Sequence, residues 1–437
     1  MKKRLFWLIA LFIIFFVSKI IAEQYRMGLI VTEEMPDWIK QSPEIKLSEP
    51  YKESCDNSEH LPPVGSQGTQ SSCLGWAVGY YYKTYQEWQE HQWDTNLSEH
   101  QFSPAFIYNH INGGIDKGCT VGDAFKVLSD MGCATISDMP YYPNNYTNLP
   151  DEDTYFDAIK YRTEDDVYYK DITTTAGLNY AKNHLANGNI LITGILVYDN
   201  FYKISDYDDI YCVIDTYGDE LGGHAFNLVG YDDNKVTNDG TGAFRAVNSW
   251  GTDWGNNGYF WISYQAMQSN KTSIGYAFYC DDKIGYSPTI VMKFHVQHND
   301  RYSVKYLFGI GSHDNPDWTK EFFIYHWLNP DNQSVTEEPN TMVAYPSTNI
   351  VVDLSDGKEY LYESQKNTVF IRCKDNRQNS VSGTITYLKA EHLVWPQCII
   401  SDDPPVAIPD DGSYAYSDVT IGSSELAIIK GISIPFG

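Results

Sequence analysis

The sequence predicts an α+β chain: a helical stretch, then a strand-rich stretch, then an all-β region. Three observations carry this. Apolar residues recur at helical spacing between residues 73 and 131, and apolar runs of strand length replace them between 190 and 264. From about Ser287 the runs are short and alternating, separated by Asp, Asn, Gly and Pro turns, which reads as an antiparallel β-sandwich. At 437 residues, 42% hydrophobic and 15% aromatic, the chain can bury large cores in two or three domains.

The elements follow in order. Lys2, Lys3 and Arg4 precede an apolar run from Leu5 to Val17, then Ser18, Lys19 and a small residue at Ala22. Residues 1–22 therefore read as a signal peptide, which predicts a secreted, periplasmic or extracellular protein; retention as an N-terminal membrane anchor is the alternative. Residues 23–59, with Pro36, Pro43 and Pro50 and little periodicity, read as an extended arm or linker. A first domain is expected over 60–285 and the sandwich over 286–437.

Within the first domain, Gln67 to Ala77 reads as a Gly/Ser/Thr/Gln loop entering a helix, with Cys73 in its first turn. Trp76, Val78, Tyr80, Tyr81 and Tyr85 form its apolar face, and Lys83, Gln86, Glu87 and Glu90 a polar one. Gln70 reads as solvated loop. Helical spacing continues in 102–112 and 121–131, and Pro140 to Asn145 is a turn-rich crossing. Strands are expected over 190–197, 225–230, 243–248 and 259–264, with 232–242 a hairpin between two of them. In the C-terminal region they are expected over 290–296, 303–308, 322–327, 350–354, 369–372 and 384–388.

A net charge of −26 argues against binding nucleic acid or anionic lipid, since phosphate recognition needs a basic footprint. No ligand spacing implies a metal or cofactor. Setting Cys73 aside leaves seven of eight cysteines. In an exported chain Cys373 with Cys398 is the expected disulfide, and Cys119 with Cys133 a second candidate.

Chemistry concentrates in three stretches: Gln67 six residues before Cys73, Gly223-His224-Ala225 at the mouth of an apolar strand, and Asn248-Ser249-Trp250-Gly251. A thiol at a helix start, a histidine and an asparagine are the parts of a thiolate–imidazolium nucleophile with an amide to orient it. In this order the motifs resemble the papain-like cysteine peptidases over about residues 60–283. Leu97-Ser98-Glu99 also resembles the family's segment at that place.

The resemblance implies a two-lobed catalytic domain, a helical lobe plus a β-barrel-like lobe. Cys73 would stand on one wall of the cleft, His224 and Asn248 on the other. It implies amide hydrolysis through a thioester. Cys73 is the expected nucleophile, His224 the acid and base, Asn248 the orienter of the imidazole and Trp250 its shield. The Gln67 side chain and the Cys73 N–H would donate to the oxyanion. Protein or peptide substrates follow, and the sandwich leaves room for a protein or carbohydrate ligand.

Four departures from the family pattern stand out. Gln70 occupies the position of a usual cysteine. Leu74 replaces the aromatic residue that usually follows the nucleophile. The substrate-pairing glycines have two candidates, Gly118-Cys119 and Gly113-Gly114. The long helical propeptide common in the family has no room in 23–59. The competing reading is an inactive protease-like scaffold that binds or adheres through its sandwich.

Overall fold

The computed structural model describes residues 25–32, 34–43, 52–322, 342–395 and 397–422. The expected signal peptide and residues 323–327 lie outside them. Among the described residues no helix is long and apolar enough to cross a membrane. The chain forms two compact units. One comprises 25–150 with 161–286, and the other 151–160 with 287–322 and 342–422.

In the first unit the helix that starts at Cys73 runs to His91, π-helical over Gly75–Lys83 and α-helical over Thr84–His91. Glycine at 75 permits a close neighbour: a Cβ there would stand 2.6 Å from the Pro104 carbonyl oxygen. That neighbour is the helix Pro104–Ile111, started by Pro104 at its first position and capped by Ser103, whose hydroxyl accepts the Phe106 N–H. The helix Val121–Met131 follows, capped by Thr120 through the Asp123 N–H. The tyrosine-rich face of the first helix is core, with Tyr80, Tyr81, Tyr82 and Tyr85 all buried.

The face expected to be polar is buried as well. Lys83 is fully enclosed and pairs with Glu87 at 2.6 Å and Asp282 at 2.5 Å. Burial alone would depress the Lys83 ammonium, but the two carboxylates more than offset it and hold it charged. The same burial pushes the Glu87 carboxyl up to about 7.

Nine strands form the sheet of this unit: β1 (Ile39–Gln41), β2 (Ser54–Asp56), β3 (Thr163–Asp171), β4 (Leu191–Val197), β5 (Ile210–Tyr211), β6 (Gly222–Thr237), β7 (Gly240–Val247), β8 (Tyr259–Ser263) and β9 (Ser273–Asp282). Their order is β1-β3-β9-β4-β6-β7-β8-β5, with β2 paired to β6. β6 and β7 make the hairpin expected at 232–242. Their register sets Asn227 opposite Val247. His224, three residues earlier on β6, and Asn248, just past β7, therefore emerge at the same end of the pair.

The stretch expected as an arm is extended but not free. β1 pairs in parallel with β3, β2 pairs with β6, and Leu29 bridges both Gly223 and Cys119.

In the second unit, strands β10 (Ile290–Gln297), β11 (Val304–Ser312), β12 (Asn315–Phe322), β13 (Ile350–Asp353), β14 (Asn367–Asp375), β15 (Gly383–His392), β16 (Gln397–Ile400), β17 (Val406–Ile408) and β18 (Tyr414–Ile421) form two antiparallel sheets. One runs β13-β10-β15-β16 with β17 on β15, the other β12-β11-β14-β18. Phe294 of the first meets Tyr306 and Phe308 of the second at 5.3 Å between ring centroids. The helix Glu152–Ala158 belongs to this unit; Glu152 pairs with Lys293 at 2.8 Å and accepts from Asn349 at 2.6 Å.

The expected disulfides are not formed: all eight cysteines are free. Cys373 is buried on β14, whereas Cys398 is exposed on β16 of the other sheet. Cys119 and Cys133 flank the helix Val121–Met131, whose 11 residues span roughly 16 Å, far beyond disulfide reach.

Candidate active site

Cys73 opens its helix beneath the strand that carries His224: the Ala225 N–H reaches the Cys73 sulfur at 3.5 Å. His224 Nε2 lies 2.7 Å from Asn248 Oδ1. The Ser249 N–H also donates to that oxygen at 2.7 Å, which fixes it as an acceptor. The proton of the His224 ring therefore sits on Nε2. His224 Nδ1 is left buried without a hydrogen-bond partner, its lone pair unused.

Trp250, also buried, lies over the imidazole with ring centroids 4.7 Å apart and tilted by 42°. Phe201 and Trp254 close the aromatic wall around it. The loop before Cys73 is laced to the same strand end. Gln67 N–H donates to the Ser249 carbonyl at 2.8 Å, and the Ser249 hydroxyl donates to Gln67 Oε1 at 2.7 Å. Tyr81 ties helix to strand: its hydroxyl donates to the Asn248 carbonyl at 2.9 Å and accepts the Gly65 N–H at 3.2 Å.

Cys73, His224, Asn248, Gln67 and Trp250, drawn from three distant stretches, thus meet in one place. Sequence reasoning passed over Tyr81 and Ser249, although Ser249 stands inside a motif it singled out. It passed over Asp116 too, whose carboxylate accepts the Ser71 N–H at 2.7 Å and the Tyr108 hydroxyl at 2.8 Å. Gln70 is not solvated. It is buried, and its amide nitrogen reaches the Pro143 carbonyl at 3.2 Å, cross-linking the loop to the turn-rich crossing.

Residues 25–30 lie across this site as an extended peptide. The Gln67 side-chain amide donates to the Arg26 carbonyl at 2.8 Å, and the Gly28 amide is among the backbone groups that oppose the rise of the Cys73 thiol. Leu29 N–H donates to the Gly223 carbonyl at 3.1 Å, Cys119 N–H to the Gly28 carbonyl at 2.9 Å, and Ile30 N–H to the Cys119 carbonyl at 2.9 Å. Of the two candidates for the substrate-pairing segment, Gly118-Cys119 is therefore the one that borders the groove. Tyr25 stacks on Trp250 at 4.8 Å.

The covering has an electrostatic consequence. Burial pushes the Cys73 thiol up to about 11, opposed only by backbone N–H groups. Burial also drives His224 down to about 4, its bond to Asn248 opposing. With the peptide in place the pair is a neutral thiol beside a neutral imidazole.

Among the described residues, Glu87, Glu90 and His91 bring possible metal-ligand atoms within 4.8 Å of one another. Lys83 already neutralises Glu87 there.

Comparison with known proteins places these features. The model of the papain family cysteine proteases matches residues 51–279. An uncharacterized peptidase C1-like protein of Acanthamoeba polyphaga mimivirus is 28% identical over 208 residues, 46% of this chain and 63% of that one. A cathepsin B-like protein of Giardia intestinalis is 38% identical over 99 residues, 22% of this chain and 30% of its own. The chain thus spans less than two thirds of the length of these relatives. Among solved structures, xylellain, a cysteine protease from Xylella fastidiosa, is similar at 23% identity. That match has a TM-score of 0.48 and covers 59% of this chain and 97% of xylellain. A procathepsin B from Trypanosoma congolense is similar at 19% identity with a TM-score of 0.45, over 59% and 86% of the two chains.

Proposed function

The chain belongs to the papain family of cysteine proteases, and from that premise we propose that it is an exported endopeptidase that hydrolyses peptide bonds at Cys73 and is held latent by its own residues 25–30. The observation that carries this reading is the peptide lying hydrogen-bonded across the groove at Cys73: the groove accepts an extended backbone, through contacts of Gln67, Gly223 and Cys119.

Once the covering peptide leaves, a substrate carbonyl takes its place. The Cys73 sulfur attacks as thiolate after its proton passes to His224 Nδ1, and the imidazolium then protonates the departing amine. The neutral imidazole next draws a proton from water, whose oxygen attacks the thioester and releases the acid. Gln67 Nε2–H and the Cys73 N–H stabilise the oxyanion; losing one such donor typically costs on the order of 3 kcal/mol. Asn248 keeps the His224 proton on Nε2, so that Nδ1 is the atom that exchanges protons with sulfur. Bringing a thiol from about 8.5 to about 4 takes roughly 6 kcal/mol, of which a helix start supplies at most about 2. The larger share falls to the His224 imidazolium.

The test is to free the groove by limited proteolysis of the arm and then add a peptide library, with and without iodoacetamide. Hydrolysis that iodoacetamide abolishes, together with an epoxide-inhibitor adduct on Cys73, is expected. In His224→Ala, rapid alkylation near pH 6 is expected to vanish while the fold persists. A freed groove that neither cleaves peptide nor reacts at Cys73 would favour the inactive scaffold.

A further inference from the structure

The sheet β12-β11-β14-β18 turns Tyr306, Phe308, Ile371, Cys373 and Ala415 inward. The alternate residues face the other way, and at one end they are cationic and aromatic. Lys305 on β11 stands directly opposite Lys374 on β14. Lys374 is in turn opposite Tyr414, and Arg372 opposite Tyr416. Like charges facing each other across an antiparallel pair destabilise a sheet. Here two lysines do so with an arginine two residues away on the same face.

The chain has 57 acidic and 31 basic residues, yet among the described residues no carboxylate forms an ion pair with Lys305, Arg372 or Lys374. Arg372 lies 4.3 Å from the Tyr414 ring centroid and Lys374 5.4 Å from it. His313 stacks on Tyr416 at 3.7 Å, and its carbonyl accepts from Arg372 Nη1 at 3.3 Å. Arg372 Nε is buried without an acceptor. Tyr414 and Tyr416 are about half exposed. Acids border the patch without pairing to these three cations: Glu321 stands opposite Leu307, Asp314 pairs with His313 at 3.4 Å, Asp411 adjoins Gly412 beside the Lys374 chain, and burial and Asp403 hold the Asp418 carboxyl above its usual range.

We propose that this end of the sheet binds an acidic polysaccharide, a chain whose sugars carry carboxylate or sulfate groups. Lys305, Lys374 and Arg372 take the anionic groups. Tyr414 and Tyr416, two residues apart on one strand and so roughly 7 Å from each other, offer ring faces to successive sugars. Duplex DNA presents its phosphates outward and no sugar ring face for the two tyrosines to stack on, so the aromatic pair favours a polysaccharide over nucleic acid. Such a site would concentrate the peptidase on an anionic matrix. It stands whether or not the groove at Cys73 is catalytic.

The full chain is run in native gels containing polygalacturonate, dextran sulfate, neutral dextran or nothing, at low and at high salt. Retardation by polygalacturonate, by dextran sulfate or by both is expected, and which one retards identifies the anionic group. Neutral dextran should not retard, and salt should abolish the effect. Affinity should fall at least tenfold in Lys305→Gln/Lys374→Gln and in Tyr414→Ala. The melting midpoint of Lys374→Gln should be unchanged or higher, because the like-charge pair is relieved. A merely structural role would lower it. The proposal is overturned if neither acidic polymer retards the protein, if the double variant is retarded as strongly as the parent, or if duplex DNA retards it equally.

Discussion

A single missing methyl at residue 28 lets the covering peptide sit down. A Cβ on Gly28 would stand 1.8 Å from the Ser71 carbonyl oxygen and 2.4 Å from its carbon, both backbone atoms that cannot swing aside. Gly28→Ala is therefore expected to unseat residues 25–30 without proteolysis. Iodoacetamide should label Cys73 at least tenfold faster in that variant than in the parent. Equal rates would mean that the peptide does not control access. The Arg26–Asp116 pair at 3.4 Å adds little, since half of the Arg26 side chain is solvated.

Protonation gives a second residue-scale prediction. In the covered site one proton sits on the Cys73 sulfur, and His224 stays neutral down to about pH 4. The open thiolate–imidazolium pair carries the same number of protons, moved from sulfur to Nδ1, so between about pH 5 and pH 8 opening neither takes up nor releases a proton at this pair. Spontaneous release of the arm, followed by labelling after a brief pH jump, should therefore be flat across that window. An acceleration from about pH 7 to pH 5 would mean that the open imidazole titrates alone, near its ordinary value of about 6.5, and that no ion pair forms.

At the scale of elements, the first helix is held from behind by charge as well as by tyrosines. Lys83→Met would leave Glu87 and Asp282 as two enclosed carboxylates without their cation, an outcome that typically costs about 3–5 kcal/mol. Urea unfolding should show that loss. A smaller loss in Lys83→Met/Glu87→Leu would attribute it to the stranded charge and not to packing. The sequence could not show this, because helical periodicity sorts polar from apolar residues and says nothing about a polar face that another element buries.

What was legible follows the same physics. The helix Val121–Met131 and the strands 191–197, 240–247 and 259–263 carry strong apolar patterns, and their approximate places were readable. β12 and β18 were not. β12 is an edge strand reading Asn-Pro-Asp-Trp-Thr-Lys-Glu-Phe, and β18 puts Ala415 and Ser417 inward where larger apolar residues would have signalled a strand. The meeting of Cys73, His224 and Asn248 was legible because three separated motifs named it. The covering peptide was not, since its hold comes from backbone groups of residues 26–30, and Gly28 was its one signal.

On the scale of the whole molecule, residues 151–160 make the two units inseparable by a simple cut. They lie between two stretches of the peptidase unit in sequence but belong to the second unit. There Tyr155, Ala158 and Ile159 are buried, and Glu152 is paired with Lys293. A chain ended after Tyr286 strands this helix with its apolar face uncovered. Burial of the two large side chains contributes roughly 4 kcal/mol in the intact protein, and in the truncated one it becomes exposed apolar surface. Such a truncation is expected to aggregate on heating and to bind a hydrophobic dye. The same truncation with residues 151–160 replaced by a Gly/Ser linker should stay monomeric and keep the reactivity of Cys73. A truncated chain that behaves like the linker version would show that the helix finds cover within the peptidase unit, and the division drawn between the units would have to move.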